Sequence, residues 1–93
     1  MSLTYRRTGS FDQEEFDDEL VIMELESQAI ITLNPTGRLV WEMLEGAATF
    51  DEILALIGDA FPDEDKESLK TDIQAVLDTL IEARLVISES SKG

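Results

Sequence analysis

Carboxylates dominate the side chains that could do chemistry in this sequence. Its 93 residues include 21 Asp and Glu against 7 Lys and Arg, with no histidine and no cysteine. Without imidazole the chain lacks the commonest general base, and without thiols it lacks cysteine nucleophiles, disulfides and thiolate metal sites. Two carboxylate clusters remain as candidates, Asp17-Asp18-Glu19 and Asp63-Glu64-Asp65.

The Asp63 cluster lacks the spacing of a calcium-binding loop. A calcium-binding loop needs a glycine at its sixth position and a bidentate Glu at its twelfth. Counting from Asp63, those positions hold Ser68 and Gln74. No carboxylate is paired in sequence with a nucleophile. We therefore expect no catalytic residue, no metal site and no cofactor, and interpret the clusters as turn and helix-cap acids.

The net charge of −14 restricts the possible partners. Nucleic-acid binders neutralise phosphates with basic residues, so DNA would be repelled, whereas a basic or apolar partner would be attracted. No apolar run approaches the length of a membrane span, and the first residues lack the apolar segment of a secretory signal. The sequence predicts a single-domain cytoplasmic protein that binds neither nucleic acid nor membranes.

Residues 29–45 are the stretch around which the other elements are organised. Residues 29–33 are mostly apolar and predict a short strand. Asn34 is a good N-cap and Pro35 suits the first helical position, so a helix should follow directly. Apolar residues recur in it at helical spacing: Leu39, Val40, Met43 and Leu44, with Trp41 beside them.

Two strands are predicted upstream, over residues 10–16 and 20–26. In the first, Phe11 and Phe16 would face opposite sides of a regular strand, so we expect a bulge or a shorter strand. In the second, Val21, Met23 and Leu25 share one face, and Leu20, Ile22, Glu24 and Glu26 share the other. The short polar break before residue 29 predicts an antiparallel hairpin and hence a three-stranded meander. Trp41, Met23 and Met43 are expected in the core.

Two helices are predicted downstream. Thr49 and Glu52 form a capping box, and Pro62 ends that helix. The acids at 63–65 suit the start of a third helix, whose apolar stripe is Leu69, Ile73, Val76, Leu77 and Leu80. The predicted fold class is α+β: a three-stranded antiparallel β-meander followed by three helices, winged helix-turn-helix-like. Residues 1–9 are predicted to be a flexible lead-in, 10–87 the domain, and 88–93 a flexible tail.

A winged-helix shape leaves two alternative functions open. One is a DNA-binding regulator, although the exposed face of the third helix would carry Glu67, Thr71, Asp72, Gln74 and Asp78, which is the wrong charge for DNA. The other is an acidic adaptor that binds a protein partner without any extended peptide.

The central stretch also resembles a known family. Leu33-Asn34-Pro35-Thr36-Gly37, followed by Trp41-Glu42, Leu44 and Gly46, is similar to the motif of the PqqD family, also called the RiPP recognition element after ribosomally made, modified peptides. The similarity continues through Thr49, Asp72-Ile73, Leu77, Leu80 and Leu85-Val86, and covers about residues 10–87.

The resemblance implies a non-catalytic peptide chaperone. In such a protein the leader of a precursor peptide adds as a strand to the open edge of the third strand and lies in a groove against the third helix. The chaperone, a monomer or an edge-paired dimer, presents the leader to a modifying enzyme such as a radical SAM protein or a leader peptidase. Carried onto this chain, the peptide-binding residues are Gln28, Ala29, Ile30, Ile31, Thr32 and Leu33 at the edge, and Leu69, Asp72, Ile73 and Val76 on the helix.

Overall fold

The computed structural model describes residues 3–90, in which two three-stranded antiparallel sheets accompany three helices. The strands are β1 (Leu3–Arg7), β2 (Phe11–Phe16), β3 (Glu19–Glu24), β4 (Ile30–Leu33), β5 (Ala48–Thr49) and β6 (Val86–Ser90); the helices are α1 (Pro35–Met43), α2 (Phe50–Ala60) and α3 (Lys66–Glu82). The predicted α+β class, a meander followed by three helices, is confirmed. Within the described span, no helix is long and apolar enough to cross a bilayer.

The meander has the strand order β2-β3-β4. Its registers run from Phe11↔Glu24 to Phe16↔Glu19 in one pair and from Leu20↔Leu33 to Met23↔Ile30 in the other. Every residue of β2 has a partner, so the expectation of a bulge or a shorter strand was wrong. The two phenylalanines do lie on opposite faces: Phe11 is half-buried, whereas 54% of Phe16 is exposed.

The second sheet has the order β5-β1-β6. Its central strand pairs with β6 from Leu3↔Ser90 to Arg7↔Val86, and with β5 at Tyr5↔Ala48. Residues 3–7 and 88–90 are therefore strands where the sequence predicted flexible segments; residues 1, 2 and 91–93 lie outside the described part. The local sequence pattern did not indicate β1, because Tyr5 is its only buried residue and its partner strands, β5 and β6, lie far away in the chain.

The three helices pack on one another, and α1 also packs against β3 and β4. The helix starts form as predicted. Asn34 Oδ1 accepts from the Gly37 amide at 2.8 Å, and Asp65 Oδ2 accepts from the Ser68 amide at 3.2 Å. Both bonds of the Thr49–Glu52 capping box are present. Because Leu33, the last residue of β4, is followed at once by the α1 cap, the docking of α1 fixes the position of β4.

Arg7 and Trp41 join the second sheet to α1. The Arg7 guanidinium donates to the Trp41 carbonyl oxygen from Nε at 3.1 Å and from Nη2 at 2.7 Å, and lies 4.2 Å from the Trp41 ring centroid. Trp41 is fully buried; its ring meets Phe11 edge-on at 4.9 Å, and its Nε1 donates to Gln13 Oε1 at 2.9 Å. Burial lowers the pKa of Arg7, and nearby Glu45 and Glu42 partly oppose that shift. These contacts connect β1, β2 and α1.

Glu24 stabilises the turn that connects β3 to β4. Only 2% of this residue is exposed, and its carboxylate accepts bonds from the Ser27 amide at 2.8 Å, the Ser27 hydroxyl at 2.8 Å and the Glu26 amide at 3.1 Å. These hydrogen bonds, led by the one from the Ser27 amide, lower the pKa of Glu24. A buried carboxylate therefore stabilises the β3–β4 connection in its ionised form.

Truncating the buried indole should destabilise the protein strongly. Trp41→Ala removes a fully buried ring and should lower the free energy of unfolding by about 3–5 kcal/mol. Trp41→Phe should cost less, because it keeps an aromatic ring and loses the bond to Gln13 and only part of the buried ring volume. Chemical denaturation followed by circular dichroism measures both. An unchanged midpoint for Trp41→Ala would contradict the burial of the ring.

Glu24 should make part of the stability pH-dependent. Its folded pKa is lowered, so its contribution is present above its ordinary pKa and is lost as the pH falls through the lowered value. Glu24→Gln should therefore be less stable than the wild type at neutral pH, and the difference should shrink on acidification. Glu26→Gln, which removes an exposed charge from the same turn, should show neither effect. Equal pH profiles for the two variants would contradict this role of Glu24.

Candidate functional site

The predicted open edge is present at β4. This strand pairs with β3 on one side, and among residues 3–90 no strand pairs with its other side. An exposed edge of this kind offers unpaired backbone N–H and C=O groups to another extended chain.

The register shows which backbone groups face outward. The Glu24 amide donates to the Ala29 carbonyl oxygen at 2.9 Å, so residue 29 directs its carbonyl toward β3. Backbone groups alternate along an antiparallel strand, so Ile31 and Leu33 also direct theirs toward β3. Ile30 and Thr32 consequently direct their N–H and C=O groups to the open side. The edge therefore offers two donors and two acceptors.

The first two residues of the predicted edge lie outside β4. Gln28 has a left-handed conformation with φ 63°, and its amide donates to the Glu24 carbonyl oxygen at 2.8 Å. Ala29 closes the same turn onto β3. The usable edge is thus shorter than the predicted 28–33, because its N-terminal end is occupied by the turn.

Side chains of β4 alternate between two surfaces. Ile31 and Leu33 face the helices; Leu33 is buried and Ile31 is half-buried against the core. Ile30 and Thr32 face the opposite side of the sheet, where 65% of Ile30 is exposed. A strand added beside β4 would meet Ile31 on the helix side and Ile30 on the outer side.

The four predicted α3 residues divide into two pairs. Leu69 and Ile73 are buried, with 3% and 0% exposed, so their side chains are core residues. Asp72 is exposed, and Val76 is half-buried at the border of the core. Both α3 and β4 pack on α1, which places these elements around a common support. Of the predicted helix residues, Asp72 and Val76 are the ones accessible to a partner.

The exposed face of α3 carries acidic and neutral polar residues. Asp72, Asp78, Glu67, Thr71 and Gln74 are all exposed on α3, as the sequence predicted. On the opposite side of the meander from the β4 edge, Arg38 of α1 forms ion pairs with Glu15 of β2 and with Glu42, the latter at 3.2 Å. A helix with this surface charge is unsuited to the DNA major groove.

The two carboxylate clusters lie at the start of a helix and in a turn between strands. Asp65 caps α3, and Asp17 takes a left-handed conformation, φ 55°, in the β2–β3 turn. Across the described residues, no three acidic side chains converge as metal ligands would. Their geometry is that of the turn and cap acids that the sequence predicted.

Sequence reasoning missed an exposed apolar strip on the far face of the meander. Met23, expected in the core, lies there half-exposed beside Val21, Ile30 and Phe16. The available signal was in β3, where apolar residues occupy both faces in alternation, so burying one face leaves the other apolar.

Comparisons with known proteins agree with this fold. A solved structure of TbiB1 in complex with the TbiA(beta) leader peptide superimposes with a TM-score of 0.73 and 22% identity, over 95% of this chain and 99% of that chain. No curated protein matches the sequence. The family model of PqqD, coenzyme PQQ synthesis protein D, matches residues 19–86, which include the meander strands β3 and β4, all three helices and the start of β6. The chain therefore belongs to the PqqD family.

Proposed function

We propose that this protein is a non-catalytic peptide chaperone. It binds the leader of a ribosomally made precursor peptide by strand addition to β4 and presents it to a modifying enzyme, such as a radical SAM protein or a leader peptidase. The open edge of β4 carries the proposal. Membership in the PqqD family and the leader peptide bound to the structurally similar TbiB1 support it.

Strand addition uses the groups that β4 leaves unpaired. A leader segment beside β4 would exchange hydrogen bonds with the outward N–H and C=O groups of Ile30 and Thr32. Each such bond contributes roughly 0.5–1.5 kcal/mol net, so backbone pairing supplies affinity without selecting a sequence.

Side chains would supply the selectivity. In an added strand, alternate side chains face the helices, on the side of half-buried Ile31. Val76 and exposed Asp72 are the α3 residues that we assign to the same groove. The carboxylate of Asp72 favours a basic leader residue at that side, and the two apolar groups favour an apolar one.

The residue content supports a binding role rather than catalysis. With neither histidine nor cysteine in the sequence, acid–base and nucleophilic chemistry would rely on carboxylates, hydroxyls or lysine. Glu24, the only buried carboxylate among residues 3–90, accepts three hydrogen bonds from its own turn.

Removing one outward backbone donor should weaken leader binding. Thr32→Pro deletes an amide that faces the open side, and proline is tolerated at an edge strand in that orientation. We expect the affinity for the cognate leader, measured by calorimetry, to fall about tenfold or more, because one backbone bond is lost and its neighbours are disturbed.

Two further variants make the test specific. Thr32→Val changes the side chain and keeps the amide, so it should bind as the wild type does. Ile31→Pro removes an inward amide and should disrupt the β3–β4 pairing itself, visible as lost stability. If Thr32→Pro remains folded by circular dichroism and binds the leader with unchanged affinity, the edge is not the binding site.

A further inference from the structure

The outer face of the meander combines an apolar strip with a row of carboxylates. The register aligns two rows across the three strands, Asp12–Met23–Ile30 and Glu14–Val21–Thr32, with all six side chains on the same face. Phe16 lies on this face too, 54% exposed, and Ile30 is 65% exposed. A shallow depression of about 350 Å³ lies on this face. Its lining residues are Asp12, Gln13, Glu14, Phe16, Val21, Met23 and Ile30.

Charge on this outer face has one sign. Asp12 and Glu14 border the apolar strip along β2, and Asp17, Asp18 and Glu19 lie exposed at the adjacent turn. No lysine or arginine lines the depression. Solvent-exposed apolar side chains grouped in this way mark interaction surfaces, and the bordering carboxylates specify the charge of the partner.

We propose that the outer face binds a protein partner that presents an apolar side chain flanked by Lys or Arg. The apolar anchor would enter the depression beside Met23 and Ile30, and the basic residues would pair with Asp12 and Glu14. A second copy of this chain is disfavoured, because a two-fold interface would bring two identical acidic rows together. A nucleic acid or an anionic lipid surface would be repelled by the same carboxylates.

This surface overlaps the β4 edge only at Ile30 and Thr32, and its other residues lie on β2 and β3. Outer-face binding uses side chains perpendicular to the sheet, whereas strand addition uses backbone groups in its plane. A leader strand beside β4 would widen the sheet without covering Met23 or Val21. The protein could therefore hold its leader and a protein partner at the same time, and this inference holds whether or not the leader binds at β4.

Backbone amide shifts in a labelled sample locate the surface directly. The probe is a short amphipathic helical peptide with leucine on one face and lysine on the other; its counterpart replaces every lysine with glutamate. We expect the lysine peptide to shift amides of Asp12, Glu14, Val21, Met23 and Ile30, and the glutamate peptide to shift none of them.

Matched variants test whether the lysine peptide binds the outer face specifically or responds to the acidic charge of the whole protein. Ile30→Thr should weaken binding of the lysine peptide about tenfold, while Ile81→Thr, the same change at an exposed position of α3, should have no effect. Asp12→Asn with Glu14→Gln should weaken it roughly fivefold at low salt. Asp63→Asn with Glu64→Gln, exposed acids between α2 and α3, should leave it unchanged.

Several results would overturn the proposal. They are shifts spread over α2 and α3, equal losses in the control variants, equal binding of the glutamate peptide, or no binding at all. A failure of leader binding at β4 would leave these expectations unaltered, since four of the five measured amides, those of Asp12, Glu14, Val21 and Met23, lie in the β2–β3 pair away from the edge.

Discussion

The contact between Arg7 and Trp41 is the interaction on which the other elements depend. α1 has no basic residue in its own last turn, so Arg7 from β1 supplies the cation that its C-terminal carbonyls favour. The same guanidinium lies over the indole, and the indole packs on Phe11 of β2. Because α1 begins directly after β4, this half-buried contact, together with the β3–β4 pairing, positions the open edge relative to both sheets.

Elements with local signals could be predicted from the sequence. The strand-to-helix junction at Asn34-Pro35, the capping box at Thr49 and the acidic start of α3 each encode a helix boundary in adjacent residues, and all three form. The order of the meander followed from short polar breaks between apolar runs, which leave antiparallel pairing as the simplest connection. An open edge at β4 is a consequence of that order.

Features that depend on distant partners could not be predicted. β1 has one buried side chain and pairs with residues at the other end of the chain, so no local period marks it. A glutamate at position 24 is expected at the surface from its residue type. In the structure it is buried by a turn that supplies three hydrogen-bond donors to its carboxylate. On α3, the apolar residues whose regular spacing predicted the helix are largely the residues that pack in the core. Leu69 and Ile73 are therefore buried, whereas Val76 is half-buried and Asp72 is exposed.

Hydrogen exchange at the four amides of β4 tests the central claim most directly. The register divides them into outward amides, at Ile30 and Thr32, and inward ones, at Ile31 and Leu33. In a dilute sample of the protein alone, the outward pair should exchange fast and the inward pair slowly. Adding the cognate leader should slow exchange at Ile30 and Thr32 and change Ile31 and Leu33 little. Protection of the outward pair before any peptide is added, or unchanged exchange after it, would contradict leader binding by strand addition at β4.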